Sequence, residues 1–383
     1  NYTRIRSKNS SIGECIMTKA AELAKWGEVT TNGQVSGRRN IIINGAMQVA
    51  QRSASVAGLG ATSGYYTLDR NRLIFSGTAG RLTMTQTAIT DLPGFANCLK
   101  LDCTTADTSI AAGEILILAQ NFEGQDLQQF KKGTSDAEKI TVSFYIKGNA
   151  NATYTCELYD NDNSRSIAQE FSVTSSWSRV VLTFNNETSN ALDDDTASSL
   201  SLHFWLHGGS TFAGGTFASN TWHATNANRA SDSQTSFFDS DARTFFITGV
   251  QMEVGSVATP FEHRSYGEEL ALCQRYFQVA QSGTNAAISP ICNGWQQSSS
   301  DTRGILKFSA MRVAPTIAQN TAANYFLFER NGASDLLTEL SLAYSTPTSC
   351  LIYDDNTSSG TAGHGGGIYT NNASAYLHLL AEL

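Results

Sequence analysis

Short runs that alternate apolar and polar residues, separated by turn-forming clusters, extend from about residue 40 to residue 260. Segments 140–146 and 200–206 carry an apolar side chain at every second position, as a strand with one buried face requires. Glycine, asparagine, aspartate and serine fill the intervals between such runs. Many short strands with frequent turns predict an all-β jelly-roll sandwich over residues 40–262. Further alternations lie at 82–86, 154–158, 171–173, 180–184 and 246–250, the last placing Phe246, Thr248 and Val250 on one face.

A helix is predicted to follow the sandwich, over residues 263–282. Ser265 and Glu268 have the spacing of a capping box, and apolar residues recur behind them at intervals of four and three. One interpretation is a linker helix that lies on its own sandwich. The other is an oligomer seam at a symmetry axis, formed by Tyr266, Leu270, Cys273 and Phe277.

Residues 283–383 are predicted to form a second, smaller β-sandwich. Strand patterns occur at 304–310, 316–318, 325–330, 340–344, 350–353 and 375–380, and the composition of 356–367 predicts a mobile surface loop. At the other end, residues 17–39 predict a short amphipathic helix and an anchoring segment. Residues 1–16 have no apolar period, and we expect them to be an extraneous or disordered leader before Met17.

Composition excludes several classes of protein. Charged residues make up 16% of the 383 residues and the formal net charge is −8, so the chain lacks the basic surface that nucleic-acid binding requires. The apolar runs are far shorter than a membrane span, so we expect no membrane insertion. Seven scattered cysteines, with no CxxC pair, predict free buried thiols rather than a disulfide framework or a zinc site.

The sequence contains none of the common nucleotide-binding, metalloprotease or serine-hydrolase motifs, and we expect a protein without enzymatic activity or a cofactor. His203 and His207 fall on one strand face, which we expect to be the solvent side. Acidic clusters in turns are typical of hydrated loops. A structural calcium ion remains an alternative, with Asp193, Asp194 and Asp195 as the first candidate ligands.

Aromatic residues beside polar turns are candidates for glycan contact, because sugar rings stack on aromatic faces. Each can equally be a packing residue. We expect recognition in the C-terminal domain, through Trp295 or Tyr369 near His364 in the glycine-rich loop. The candidates in the first sandwich are Trp205 and Trp222.

Several segments resemble the tail fibre and virion appendage proteins of marine tailed phages, cyanophages among them. Residues 247–278 read ITGVQMEVGSVATPFEHRSYGEELALCQRYFQ, and residues 17–52, 65–70, 141–148 and 204–217 resemble the same family in the same order. The resemblance implies a β-sandwich like that of carbohydrate-binding modules, a non-enzymatic virion role after synthesis in the host cytoplasm, and a homotrimer. It also implies that the N-terminal segment contacts other virion proteins.

Three functions therefore remain as hypotheses. The first is a tail fibre that recognises a host-surface polysaccharide. The second is a purely structural appendage or capsid decoration protein. The third is a glycan-degrading tail enzyme.

Overall fold

The computed structural model describes residues 38–282, 288–322 and 324–383. The predicted leader 1–16, and the anchoring segment as far as residue 37, lie outside the described residues. The first domain is built from twelve strands: β1 Ser55–Leu59, β2 Gly64–Tyr65, β3 Arg72–Ser76, β4 Arg81–Ala88, β5 Asn97–Thr105, β6 Ile115–Glu123, β7 Ile140–Gly148, β8 Ala152–Asp160, β9 Arg165–Val173, β10 Ser178–Phe184, β11 Ser198–Gly208 and β12 Thr244–Val254.

These strands form two six-stranded sheets packed face to face. Sheet A has the order β1-β4-β5-β12-β7-β10, and sheet B has the order β2-β3-β6-β11-β8-β9. Apolar residues from alternate positions of both sheets fill the space between them, among them Phe144, Leu202 and Phe204. The predicted jelly-roll β-sandwich is confirmed.

Short helical elements lie in the connections of this domain. Helix α1 spans Ser210–Ala213, and single 3₁₀ turns span Gly124–Asp126, Gln128–Phe130 and Asn226–Asn228. Helix α2, Tyr266–Gln274, follows the sandwich and begins at Ser265, whose side chain accepts a hydrogen bond from the Glu268 amide. None of the helices among the described residues is long and apolar enough to cross a membrane.

The predicted linker helix is wrong beyond Gln274, because the chain becomes extended at Phe277. Strand β13, Phe277–Ser282, pairs with the last strand of the chain, so Phe277 lies in a sheet of the second domain. Cys273 packs with Ile43 and Val49 of the first domain, and both Cys273 and Phe277 are buried within their own chain. The structure therefore contradicts the continuous oligomer seam and favours the helix laid on its own sandwich.

The second domain is a smaller two-sheet β structure, as predicted. After β13, its strands are β14 Ile288–Gln296, β15 Thr302–Lys307, β16 Thr316–Gln319, β17 Phe326–Arg330, β18 Ala333–Leu337, β19 Ser341–Ala343, β20 Ser349–Asp354, β21 Gly365–Asn371 and β22 Tyr376–Leu380. The two sheets have the orders β13-β22-β16 and β18-β17-β21-β14-β15-β20-β19, and the core includes Phe326, Phe328 and Leu379.

Buried ion pairs join the two domains. Glu382 accepts hydrogen bonds from Arg52 at 2.9 Å and from Arg70 at 2.6 Å, and the Arg70 guanidinium lies 3.5 Å from the centre of the Tyr276 ring. Glu123 accepts from Arg275 and Tyr276, each at 2.6 Å. Moving the domains apart would separate these partners and leave buried charges unpaired, which is costly. The junction therefore holds the two domains against each other.

The six described cysteines are free, and all except the half-buried Cys292 are buried. This confirms the predicted free thiols for that part of the chain. Burial raises the pKa of Cys98 to about 12, so the thiol stays protonated and behaves as a small apolar side chain.

Candidate functional site

The outer face of sheet B is covered by the chain's own connection between β11 and β12. Trp205 of β11 is fully buried there with Ile117 and Ala119 of β6, under Ala230 and the partly buried Phe212 of α1. A second part of the connection pairs with the edge strand, where His223 and Ser166 form a β-bridge. We call residues 209–236 of this connection the cover segment.

The cover segment overturns two sequence-based expectations. His203 and His207 were predicted on the solvent side, but they are 6% and 0% exposed. Trp205 was a candidate for glycan contact, but its ring lies in the interior. All three side chains do point away from the main core, as their alternation predicts. A long connection that folds back over a sheet buries such residues, and strand periodicity carries no information about it.

A buried carboxylate fastens the cover segment to the sheet. Glu157 of β8 accepts hydrogen bonds from Arg229 at 2.7 and 2.9 Å and from Trp205 Nε1 at 2.7 Å, and it contacts His203 Nδ1 at 2.9 Å. Burial opposes ionisation, but the charge of Arg229 and these hydrogen bonds outweigh it and lower the pKa of Glu157 to about 2. Glu157 is therefore an ionised structural anchor.

Trp222, also in the cover segment, is half-buried and packs against the sandwich core. Its indole nitrogen donates to the Asn185 carbonyl at 2.8 Å, and Lys132 Nζ lies 4.7 Å from the ring centre. These contacts describe a packing residue at the edge of the sandwich.

The outer face of sheet A presents one row of side chains that crosses five of its strands and reaches the residue before the sixth. The pairing runs from Ser55 to Thr85 to Lys100, then to Phe246 and Lys147. Trp177, one residue before β10, continues it beside Lys147. Their sequence neighbours, such as Leu101, Phe245 and Ile146, lie in the core, so these six point outward. We call them the Phe246 row: Ser55, Thr85, Lys100, Phe246, Lys147 and Trp177.

Two lysines and two aromatic rings form the centre of this row. Lys100 Nζ lies 5.5 Å and Lys147 Nζ 5.1 Å from the centre of the half-buried Phe246 ring. Trp177 meets Phe246 edge-to-face with 6.4 Å between ring centres, and Lys147 Nζ lies 4.9 Å from the Trp177 ring. These separations are typical of cation–π contacts, so the amines and rings hold one another in place.

Each lysine of the row also has a carboxylate partner. Lys100 pairs with Asp102 at 2.8 Å, and Lys147 pairs with Asp91 in the β4–β5 turn. Asp91 also accepts from the Trp177 indole nitrogen at 3.0 Å. Hydrogen bonds from Lys147 and Trp177 lower the pKa of Asp91, so it is ionised at neutral pH. The row thus combines aromatic faces with paired donors and acceptors.

A second aromatic group lies one row further along the same face. Phe95 lies 5.2 Å from Tyr145 and 5.1 Å from Phe261, measured between ring centres. Gly249 makes room for it: its φ is +61°, and a Cβ there would lie 2.7 Å from Phe95 Cζ. Only glycine suits this position, where the register also shifts between Thr248 and Gln251.

That shift explains why the sequence analysis missed Phe246. Phe245 and Phe246 are adjacent, and the period of 246–250 suggested that Phe246 and Val250 share a face. Beyond the irregularity at Gly249, Val250 enters the core while Phe246 and Thr248 belong to the outer face. A glycine in the middle of a strand pattern was the available signal.

The second domain brings the other predicted aromatic residues to one sheet face. Trp295 of β14 pairs with Arg303 of β15 and with Gly365 of β21, and all three point away from the core. Tyr369, four residues after Gly365, is on the same side, and the exposed His364 precedes the strand. Trp295 is half-buried, and its indole nitrogen donates to Gln297 Oε1 at 2.9 Å.

The predicted mobile loop 356–367 is wrong in its last three residues, which belong to β21. A Cβ at Gly366 would lie 2.3 Å from the Glu329 carbonyl oxygen and 2.7 Å from Phe328, so close strand packing explains that glycine. Hydrogen bonds also anchor the loop itself, from the Ser359 amide to Asp335 at 3.0 Å and from Gln296 Nε2 to Ser358 Oγ at 2.8 Å.

Asp193, Asp194 and Asp195 are exposed in the turn before β11. The Asp195 carboxylate accepts from the Ala197 amide at 2.8 Å. Within 38–282, 288–322 and 324–383, no three or more His, Cys, Asp or Glu side chains are grouped as metal ligands. The geometry therefore gives the predicted calcium site no support.

No protein-family model and no curated protein matches this chain. Solved structures similar to it include a CBM4 carbohydrate-binding module at 11% identity and TM-score 0.28, covering 55% of this chain and 97% of that one. Another is TmCBM61 in complex with β-1,4-galactotriose, at 8% identity and TM-score 0.30, covering 57% and 99%.

The enzymatically active domain of bacteriophage CBA120 tailspike protein 4 is similar at 10% identity and TM-score 0.28, covering 56% of this chain and 21% of that one. Likenesses this distant carry no argument about function. The fold assignment depends on the sheets described above.

Proposed function

We propose that this chain is a non-enzymatic, glycan-binding protein of a phage virion appendage, such as a tail fibre, and that it binds host-surface polysaccharide through the Phe246 row. The observation that carries the proposal is the contrast between the two outer faces. The cover segment fills the face of sheet B, whereas the outer face of sheet A carries two half-buried aromatic rings and their polar partners in a row across the sheet.

The chemistry of the row suits a sugar chain. Pyranose rings stack their C–H faces on aromatic rings, and their hydroxyl groups both donate and accept hydrogen bonds. Phe246 and Trp177 offer the rings, while Asp91, Lys147 and Lys100 offer acceptors and donors beside them. With neighbouring strands about 4.8 Å apart, the six positions of the row span roughly 24 Å, which suits a sugar chain lying across the strands.

The same contacts support binding without hydrolysis. A glycosidase needs a carboxylic acid with a raised pKa to protonate the leaving oxygen. Asp91 has a lowered pKa, and Asp102 is paired with Lys100. At this row, glycan degradation is therefore the weaker hypothesis.

The virion assignment rests on the resemblance of 17–52 and 247–278 to phage appendage proteins. Free cysteines agree with folding in a reducing cytoplasm. The homotrimer and the contact of the N-terminal segment with other virion proteins are implied by that resemblance alone. Sedimentation and the position of the chain in an intact particle test them, and a capsid location would favour the decoration-protein alternative.

Phe246→Ala and Trp177→Ala test the glycan site directly. Because each removes a stacking ring, we expect each to lower the affinity for host polysaccharide about tenfold with little change in the unfolding midpoint. Tyr266→Ala, which removes an aromatic ring that is 57% exposed on α2, is the matched control and should bind like the wild type. Wild-type affinity in both row variants, or release of reducing ends by the wild type, would contradict the proposal.

A further inference from the structure

We infer that the second domain carries its own sugar-binding site, a shallow trough at Gly365 beside Trp295, which accepts an uncharged pyranose unit. This site shares the ligand class of the proposed function but none of its residues. It also agrees with the sequence-based prediction that Trp295, Tyr369 and His364 contact a glycan.

The trough exists because one outward position of β21 has no side chain. A Cβ built on Gly365 meets no atom within 4 Å, so the space above this residue is open. Gly365 is also outside the left-handed region of φ, so its backbone does not require glycine. The vacant position is therefore free to admit part of a ligand.

Two aromatic residues of the same sheet face are neighbours of this opening. Trp295 is the cross-strand partner of Gly365, with about 5 Å between such Cα atoms. In the other direction the Tyr369 ring covers Gly367, where a Cβ would lie 2.6 Å from Tyr369 Cε2. Gly367 is two residues, roughly 7 Å, along the strand. The open position thus lies within one strand spacing of Trp295 and two residues from the position covered by Tyr369, so aromatic groups against which sugar C–H groups can pack are near it in both directions.

The polar groups around the trough select an uncharged sugar. Arg303, next to Trp295 in the row, is engaged by Asp301 through Nε at 3.1 Å and Nη2 at 2.7 Å, so its charge is neutralised. Glu329, exposed beside Gly367, adds a negative charge that repels an acidic sugar. Gln297, whose side-chain oxygen accepts from Trp295, offers its amide nitrogen to a sugar hydroxyl group beside that ring.

Gly365→Leu fills the trough without disturbing any contact. Gly113→Leu is its matched control, because Gly113 also has open space at its Cβ position, no left-handed φ, and a location in the first domain. The probes are immobilised gluco-, galacto- and mannooligosaccharides, with alginate oligosaccharide as the acidic counterpart. Wild type, Gly365→Leu, Trp295→Ala, Gly113→Leu and Phe246→Ala are compared by surface plasmon resonance.

We expect Gly365→Leu and Trp295→Ala each to weaken binding of at least one neutral oligosaccharide about tenfold, with alginate not bound at this site and Gly113→Leu unchanged. If wild type and Trp295→Ala bind every probe equally, the inference is wrong. The proposed function still stands in that case if Phe246→Ala loses binding. Conversely, if Trp295→Ala weakens oligosaccharide binding and Phe246→Ala does not, the site in the second domain is supported and the proposed site at the Phe246 row is wrong. If Gly365→Leu changes the sedimentation coefficient instead of sugar binding, the face is an interface between copies and the inference is wrong.

Discussion

The two outer faces of the first sandwich carry similar kinds of residue in different surroundings. Each has tryptophan, a carboxylate and a cation in contact: Trp205, Glu157 and Arg229 on sheet B, and Trp177, Asp91 and Lys147 on sheet A. Trp205 and Glu157 are buried under the cover segment, to which Arg229 itself belongs, whereas Asp91 is exposed and the rings beside it are half-buried. Similar chemistry therefore fastens the cover segment on one face, while on the other it lies beside an exposed carboxylate, on the face that we propose for the ligand.

The largest expected effect is on the covered face. Glu157→Gln keeps the shape but removes the charge that balances Arg229, so we expect a loss of about 3–5 kcal/mol in the free energy of unfolding. Urea denaturation followed by circular dichroism measures it. Asp91→Asn on the open face is the control, and we expect no measurable shift in its midpoint.

The pH dependence of the Glu157→Gln effect separates charge from shape. Glu157 has a pKa of about 2 in the folded protein against an ordinary value of 4.5, so its contribution is complete above pH 4.5 and is lost as the pH falls toward 2. The difference between wild type and variant should shrink over this interval. A difference that stays constant down to pH 2 would mean that packing, not ionisation, makes Glu157 important.

The sequence predicted the strands well because burial imposes a period of two on them. Segments 140–146 and 200–206 show this, and their apolar residues lie in the core. It did not predict which outward faces stay open, because covering sheet B depends on a distant connection. Nor did it predict β21, because three successive glycines are typical of loops and only pairing with β14 and β17 makes them a strand.

The predicted end of helix α2 was wrong for a related reason. Leu270, Cys273 and Phe277 have helical spacing, yet the chain turns into β13 after Arg275. Pairing of Phe277 with Leu380 supplies strand contacts that local periodicity does not reveal. Trp295 and Tyr369, which the sequence suggested as alternative glycan contacts, lie on one face of the same sheet, and their role in binding stays a prediction.

A substitution that removes only the indole N–H sharpens the comparison of the two tryptophans. Trp205→Phe deprives the buried Glu157 of one donor, so we expect a loss of about 1.5–3 kcal/mol in stability. Trp177→Phe removes the equivalent donor from the exposed Asp91, where water replaces it, and should leave the unfolding midpoint unchanged. Equal destabilisation of both variants would mean that the outer face of sheet A is also covered.

The smallest effect is expected from the carboxylates of the open face, and it appears in binding rather than stability. Asp91 holds both Lys147 and the Trp177 indole, whereas Asp102 pairs with Lys100. Asp91→Asn loses the charge that orients Lys147, so we expect a severalfold loss of polysaccharide affinity, measured by calorimetry. We expect a smaller loss for Asp102→Asn.

The pH dependence of binding tests the same carboxylate. Because hydrogen bonds keep the pKa of Asp91 below its ordinary 3.8, wild-type affinity should hold as the pH falls from 7 to about 5. Affinity that is equal in Asp91→Asn and wild type would show that Phe246 and Trp177 bind sugar without this carboxylate, and the row would then act through its rings alone.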